Sequence, residues 1–171
     1  MKKFSFLIYF FIFGIFFVMS LPYYSGDVKN HVIWAQSILD QGIVGFYERY
    51  FHDYAFQSYP PISTGLFVVS LGLYNLLYNL IHFLNIQIPV FPSQLIYFIE
   101  DFNTKIAFLK FPALLFTVLT GYLLVKYKEL LKLKISSKIV LGLFFVNPAF
   151  IYISVIWGQI DFMQAFFILW A

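Results

Sequence analysis

The chain has 171 residues, of which 61% are apolar, 23% aromatic and only 11% charged, whereas soluble domains carry about 25% charged residues. That balance excludes an ordinary soluble domain and predicts an all-α fold, a polytopic transmembrane helix bundle. The net charge of +3 does not call for a nucleic-acid partner, since the basic residues sit beside apolar runs, and the lack of cysteine excludes disulfides, thiolate nucleophiles and Cys-ligated metals.

Lys2 and Lys3 precede an apolar run from Phe4 to Leu21. The run is longer than a usual signal-peptide core and no A-x-A-like cleavage site follows, so it is expected to be an uncleaved first span with a cytoplasmic N-terminus. Residues 22–61 form a polar loop in which Asp27, Asp40, Glu48 and Asp53 outnumber Lys29 and Arg49. An acidic loop suits the external side. Within it, Val28, Val32, Ala35 and Leu39 recur on one helical face and predict an amphipathic helix over Asp27–Leu39. Ser25, Gly26 or Asp27 can cap its start, and Gly42 and Gly45 end it. The aromatic cluster Tyr47, Tyr50, Phe51, Tyr54, Phe56 and Tyr59 follows and is expected to lie at headgroup level.

Tyr59-Pro60-Pro61 opens an apolar run from Ile62 to about Phe83. Proline costs little at a helix start, where its missing N–H would be unpaired anyway. Pro89 and Pro92 interrupt helix, Leu95–Ile99 is apolar again, and Glu100-Asp101 marks an aqueous edge. Thr104–Val125 is the next predicted span. Lys126, Lys128, Lys132, Lys134 and Lys138 follow, against Glu129 alone, and this excess of lysine predicts the cytoplasm. A cytoplasmic N-terminus and single spans at 62–83 and 104–125 would leave these lysines outside. The preferred resolution is a hairpin over Ile62–Ile99 with its turn near Asn75–Asn79, the alternative being one simple span. Ile139–Trp157 then returns outward, with Asn147-Pro148 as a kink. The last run, Phe162–Ala171, covers only ~15 Å, about half the hydrocarbon core, which predicts the N-terminal part of a longer protein.

The polar side chains left within or beside apolar segments are the candidate site. Asp161 and Gln159 lie between two apolar runs, where a charge is retained only at an interface, in a watery cavity or against a partner. Asp27 is either a general base at the membrane edge or simply a helix cap. His31, at i+4 from Asp27, either orients that carboxylate or meets a phosphate, or is an interfacial histidine. Lys110, six residues inside its run, is placed to meet a lipid phosphate, whereas Lys105 snorkels to the interface. Glu48, Arg49, His52 and Asp53 read as a solvated loop face. The three histidines lie far apart, so no metal site is expected, and no Walker, GxSxG or HExxH motif occurs.

Taken in order, Ser25-Gly26-Asp27…Trp34-Ala35, Tyr59-Pro60-Pro61-Ile62, Leu109-Lys110-Phe111-Pro112-Ala113 and Asn147-Pro148…Trp157-Gly158-Gln159-Ile160-Asp161 resemble the N-terminal membrane module of the GT-C glycosyltransferases. The likeness is to the prokaryotic mannosyltransferases related to the enzyme that adds the second mannose of GPI anchors. It departs from that pattern at Ile62, where leucine is usual, and in lacking an aspartate soon after the Leu-Lys-Phe-Pro element, where Thr117 lies nearby. The resemblance implies inverting transfer of a hexose, mannose favoured, from a polyprenyl-phosphate sugar to a glycan, lipid or protein acceptor on the external or luminal face, with no other cofactor and no nucleic acid. It implies Asp27 as catalytic base and His31, Tyr59, Lys110, Gln159 and Asp161 as substrate-binding residues, in a multi-pass protein of a prokaryotic cell membrane. Rival readings are a transporter or lipid flippase, which would show paired inverted repeats, and a non-catalytic scaffold, which would not need Asp27.

Overall fold

The computed structural model describes residues 4–52 and 54–171, so Lys2, Lys3 and Asp53 lie outside the described residues. Among the described residues every regular element is helical and no strand occurs. The chain divides into two compact units, Gly26–Leu109 on the one hand and Met1–Ser25 with Lys110–Ala171 on the other.

In the unit Gly26–Leu109, α2 (Gly26–Gln41) packs along α3 (Pro61–Gln87). Helix α2 follows the expected amphipathic segment to within a residue or two at each end. It buries Val28, His31, Val32, Trp34, Ala35 and Ile38. Leu39, expected on this stripe, is exposed, and Ile38 takes its place because the buried face drifts with the 3.6-residue period. Gly42 and Gly45 stop the helix as expected, both with positive φ (78° and 68°), a conformation that glycine adopts without strain. Trp34, Ile38 and Phe46 form a small core against which Phe51, Tyr59 and Val68 pack. Arg49 does not face solvent alone: its guanidinium donates to the Ser37, Gly42 and Val44 carbonyls and to Ser37 Oγ, at 2.6–2.9 Å, and so caps the end of α2.

Helix α3 corrects the expected hairpin. It runs unbroken for 27 residues through Asn75–Asn79, roughly 40 Å at 1.5 Å per residue. Its only glycines, Gly65 and Gly72, precede that stretch, and nothing in Tyr74–Gln87 breaks a helix. The chain turns back instead between Ile88 and Pro92, where two prolines deny the backbone its donors. The return is made by the short α4 (Ser93–Glu100) and α5 (Phe102–Leu109), separated at Asp101. Tyr74 Oη donates to the Ile99 carbonyl at 2.6 Å, and His82 Nε2 lies 3.4 Å from Glu100, which lays α4 back along α3.

In the other unit, α1 (Phe4–Ser20), α7 (Ser137–Phe145) and α9 (Asp161–Trp170) pack on α6 (Phe111–Leu130). Tyr9 meets Tyr122, Phe13 meets Phe111 and Phe16 meets Phe145, each edge to face. The expected continuous span over Thr104–Val125 is broken at Lys110, because Pro112 cannot donate to the carbonyl four residues back and its ring would strike it. The expected span over Ile139–Trp157 is likewise two pieces bent by 53°, α7 and the segment Pro148–Trp157. Asn147 Oδ1 accepts from the Ala149 N–H at 2.9 Å and, with Pro148, restarts the helix as α8 (Pro148–Ile151). The turns after it, Tyr152–Trp157, are π-helical.

Among the described residues, helix α3 alone is long and apolar enough, by itself, to cross a membrane. Phe102–Leu109 with Phe111–Leu130, and Ser137–Phe145 with Pro148–Trp157, reach that length only as pairs.

Candidate functional site

The six residues singled out from the sequence fall in both units: Asp27, His31 and Tyr59 in one, Lys110, Gln159 and Asp161 in the other.

Asp27 stands in the first turn of α2, half-buried, where the helix dipole favours a carboxylate. One turn further, His31 is 1% exposed. Its ring stacks on Phe67 (centroids 3.9 Å apart, planes at 11°) and receives the edges of Tyr59 at 4.6 Å and Trp34 at 5.3 Å. Trp34 Nε1 donates to the Ala55 carbonyl at 3.2 Å, and Tyr47 Oη donates to the Tyr59 carbonyl at 2.9 Å, so the loop holds both outer rings in place. The His31 Nδ1 atom has no hydrogen-bond partner in this apolar box. Burial drives the imidazole pKa down to about 4 against the opposing pull of the Asp27 charge, so the ring is neutral at pH 7. The ring expected to orient Asp27 or meet a phosphate is enclosed among Phe67, Tyr59 and Trp34. It packs the turn of α2 that follows Asp27 against α3 and the loop. Tyr59 serves the same box as a half-buried wall.

Lys110 occupies the break between α5 and α6 and is 0% exposed. Its ammonium lies within hydrogen-bond distance of four main-chain carbonyls: Ser20 at 3.2 Å, Tyr23 at 2.5 Å, Val155 at 3.0 Å and Ile156 at 3.0 Å. The first two follow from the end of α1, the last two from the end of the π-helical turns. Ser25 Oγ donates to the next carbonyl, that of Trp157, at 2.8 Å. These carbonyls need side-chain donors because Gly158, at φ 82°, folds the backbone back so that the Gly158 and Gln159 N–H groups both reach the Ile153 carbonyl, at 3.0 and 2.9 Å. Ser154 Oγ donates to the Phe150 carbonyl at 2.7 Å, a local bond that loosens helical winding. An ammonium has three N–H bonds, and four acceptors saturate it. Lys110 is thus a point charge capping two helix ends, and a phosphate would have to displace carbonyls to reach it.

Past this knot, Gln159 is half-buried and Asp161 is exposed at the head of α9, a position that the dipole also favours for a carboxylate. Sequence reasoning missed Arg49, Ser154 and the hydroxyl of Ser25 as structural donors. Their acceptors are main-chain carbonyls, which leave no mark in a sequence. Among the described residues no three His, Asp or Glu side chains converge as a metal-ligating group. No family model, no curated protein and no solved structure matches this chain.

Proposed function

We propose that this chain is a multi-spanning membrane module of the GT-C glycosyltransferase kind, which transfers a hexose from a polyprenyl-phosphate sugar on the external face. The membrane setting is supported by the length of α3 and by the apolar side chains that α1 and α3 expose: Phe6, Leu7, Phe10, Phe11 and Val18 on the first, Val69, Leu73, Leu76, Phe83 and Ile86 on the second. Soluble monomers rarely leave such continuous apolar faces uncovered. In the proposed topology α1 leads outward, α2 lies at the external interface, and the lysine-rich connection after α6 is cytoplasmic.

The observation that carries the catalytic reading is the anchoring of Asp27. The carboxylate sits half-buried at a helix head whose next turn is locked by the His31 box. In the reaction, a carboxylate oxygen of Asp27 takes the proton of the acceptor hydroxyl as its oxygen bonds to the anomeric carbon. The bond from that carbon to the phosphate oxygen breaks on the opposite face, and the phosphate leaves with the electron pair. A phosphate needs no general acid, only donors that meet its charge. Asp27→Asn tests the assignment with a radiolabelled polyprenyl-phosphate mannose in native membranes. Loss of a general base typically costs 10²–10⁴-fold in rate. Full turnover by a well-folded variant removes Asp27 from catalysis.

A further inference from the structure

The connection between α6 and α7 carries charge in a form that helix closure alone does not require. Helix α6 ends in a reverse turn in which the Lys132 N–H reaches the Glu129 carbonyl and the Leu133 N–H reaches the Lys128 carbonyl, both at 3.1 Å. This pattern usually places glycine at the left-handed residue and packs the following side chain back on the helix. Here the left-handed residue is Lys132, at φ 51°, and Leu133 points outward, exposed. A lysine held where glycine is favoured is backbone strain, and such strain persists where the side chain has a use. The second anomaly is Lys138, the second residue of α7, where the helix dipole favours an acid over a base.

The surroundings identify the use. Lys126, Lys132, Lys134 and Lys138 are exposed and alternate with the exposed Leu130, Leu131, Leu133 and Ile139. Tyr127 and the exposed Trp170 line one crevice with Lys126 and Leu130, and Tyr127 Oη donates to the Leu169 carbonyl. Tyrosine and tryptophan are the side chains that settle at the level of lipid headgroups. Aliphatic tips that insert, aromatic rings at headgroup depth and ammonium groups beside them make a surface complementary to a negatively charged leaflet.

We propose that the segment Lys126–Ile139 is a docking surface for the phosphate headgroups of anionic lipids. This rests on the membrane setting above but not on the transferase reading, and it stands whether or not Asp27 is catalytic. The test uses the full chain with Ile135→Cys as its single cysteine, labelled with a fluorophore, in vesicles containing brominated phosphatidylglycerol or brominated phosphatidylcholine. Quenching gives the relative association of each lipid with the segment. Wild type should prefer the anionic lipid several-fold, the preference falling as salt rises. Replacing Lys132, Lys134 and Lys138 together by Gln should bring the ratio to about one, and Glu129→Gln should raise it.

Lys132→Gly guards against misfolding: it should raise the unfolding midpoint in neutral detergent, by relieving the left-handed lysine, while it lowers the preference for anionic lipid. Inorganic phosphate should displace no more lipid than chloride of equal ionic strength. Equal quenching by the two lipids in wild type, a preference that survives the triple substitution, or release by phosphate at millimolar levels would overturn the proposal.

Discussion

The His31 box makes stability depend on pH in a direction that a surface histidine would not. The imidazole has a pKa of about 4 in the folded chain, against about 6.5 in an unfolded one. Between pH 6.5 and 4 the unfolded chain therefore binds a proton that the folded chain refuses. Stability is full above pH 6.5, falls as pH drops through this window, and levels off below about 4. A gap of about 2.5 pKa units at 1.36 kcal/mol each corresponds to about 3 kcal/mol from this one ring. His31→Phe keeps an aromatic ring on Phe67, removes the unpartnered Nδ1 and abolishes the titration. At pH 8 the variant should be as stable as wild type or slightly more so. Its advantage should then grow by about 3 kcal/mol as pH falls to 4. Denaturant unfolding of the two proteins in the same detergent, at half-unit pH steps, measures the difference and cancels the carboxylates common to both. NMR titration of histidine-labelled protein, with the His31 signal assigned by its absence from the variant, reads the pKa directly. A His31 that titrates near 6.5, or a difference between the proteins that does not change with pH, refutes the enclosed neutral ring.

Lys110→Met should strip the cap from the Tyr23, Val155 and Ile156 carbonyls. Each orphaned buried group costs about 1–3 kcal/mol, part of which is offset because no ammonium then needs burying. A net loss of roughly 3 kcal/mol should lower the unfolding midpoint by about 6–12 °C, whereas unchanged stability would mean that the carbonyls find water. Gly121→Ala should be destabilised by about 1–3 kcal/mol, since the new methyl would stand 2.4 Å from the Phe145 ring, which is itself buried; an additional Phe145→Leu change should restore the loss if that contact is the cause. A reporter fused after Ser136 should be active only as a cytoplasmic fusion, and periplasmic activity would reverse the proposed orientation of α6.

The elements that local chemistry controls were legible in the sequence. Helix α2 followed from its apolar period, its end from Gly42 and Gly45, and the restart at α8 from Asn147-Pro148, because each signal acts within a few residues. The hairpin turn was misplaced because charge bookkeeping demanded a reversal without saying where it lay. Two asparagines in α3 suggested a turn, but a single Asn costs a helix only a fraction of a kcal/mol, while Pro89 and Pro92 remove donors outright. Of the candidate site, Asp27 lay where the pattern put it, at the head of the amphipathic helix. The enclosure of His31 was hidden, because it depends on Phe67 and Tyr59, which are far along the chain. The engagement of Lys110 was equally hidden, its partners lying 45–90 residues away.

That last case bears on why so aromatic a chain carries these particular polar residues. Its helices are broken at Asp101, Lys110, Asn147 and Gly158, and every break frees carbonyls. In the proposed bilayer setting no water would reach those that lie within the hydrocarbon core, and there the chain would have to supply donors of its own. Lys110 and Arg49, which donate and never accept, cover the ends of α1, of the π-helical turns and of α2. Tyr47, Tyr74 and Tyr127 each place a hydroxyl on a main-chain carbonyl, of Tyr59, Ile99 and Leu169. A tyrosine brings its donor on an apolar ring, so it can serve a buried carbonyl without bringing a charge into lipid. Basic and phenolic side chains serve as donors at helix ends and breaks, and the two carboxylates singled out as candidate site residues stand at helix heads. Asp27 and Asp161 both stand in first turns, where free N–H groups welcome them.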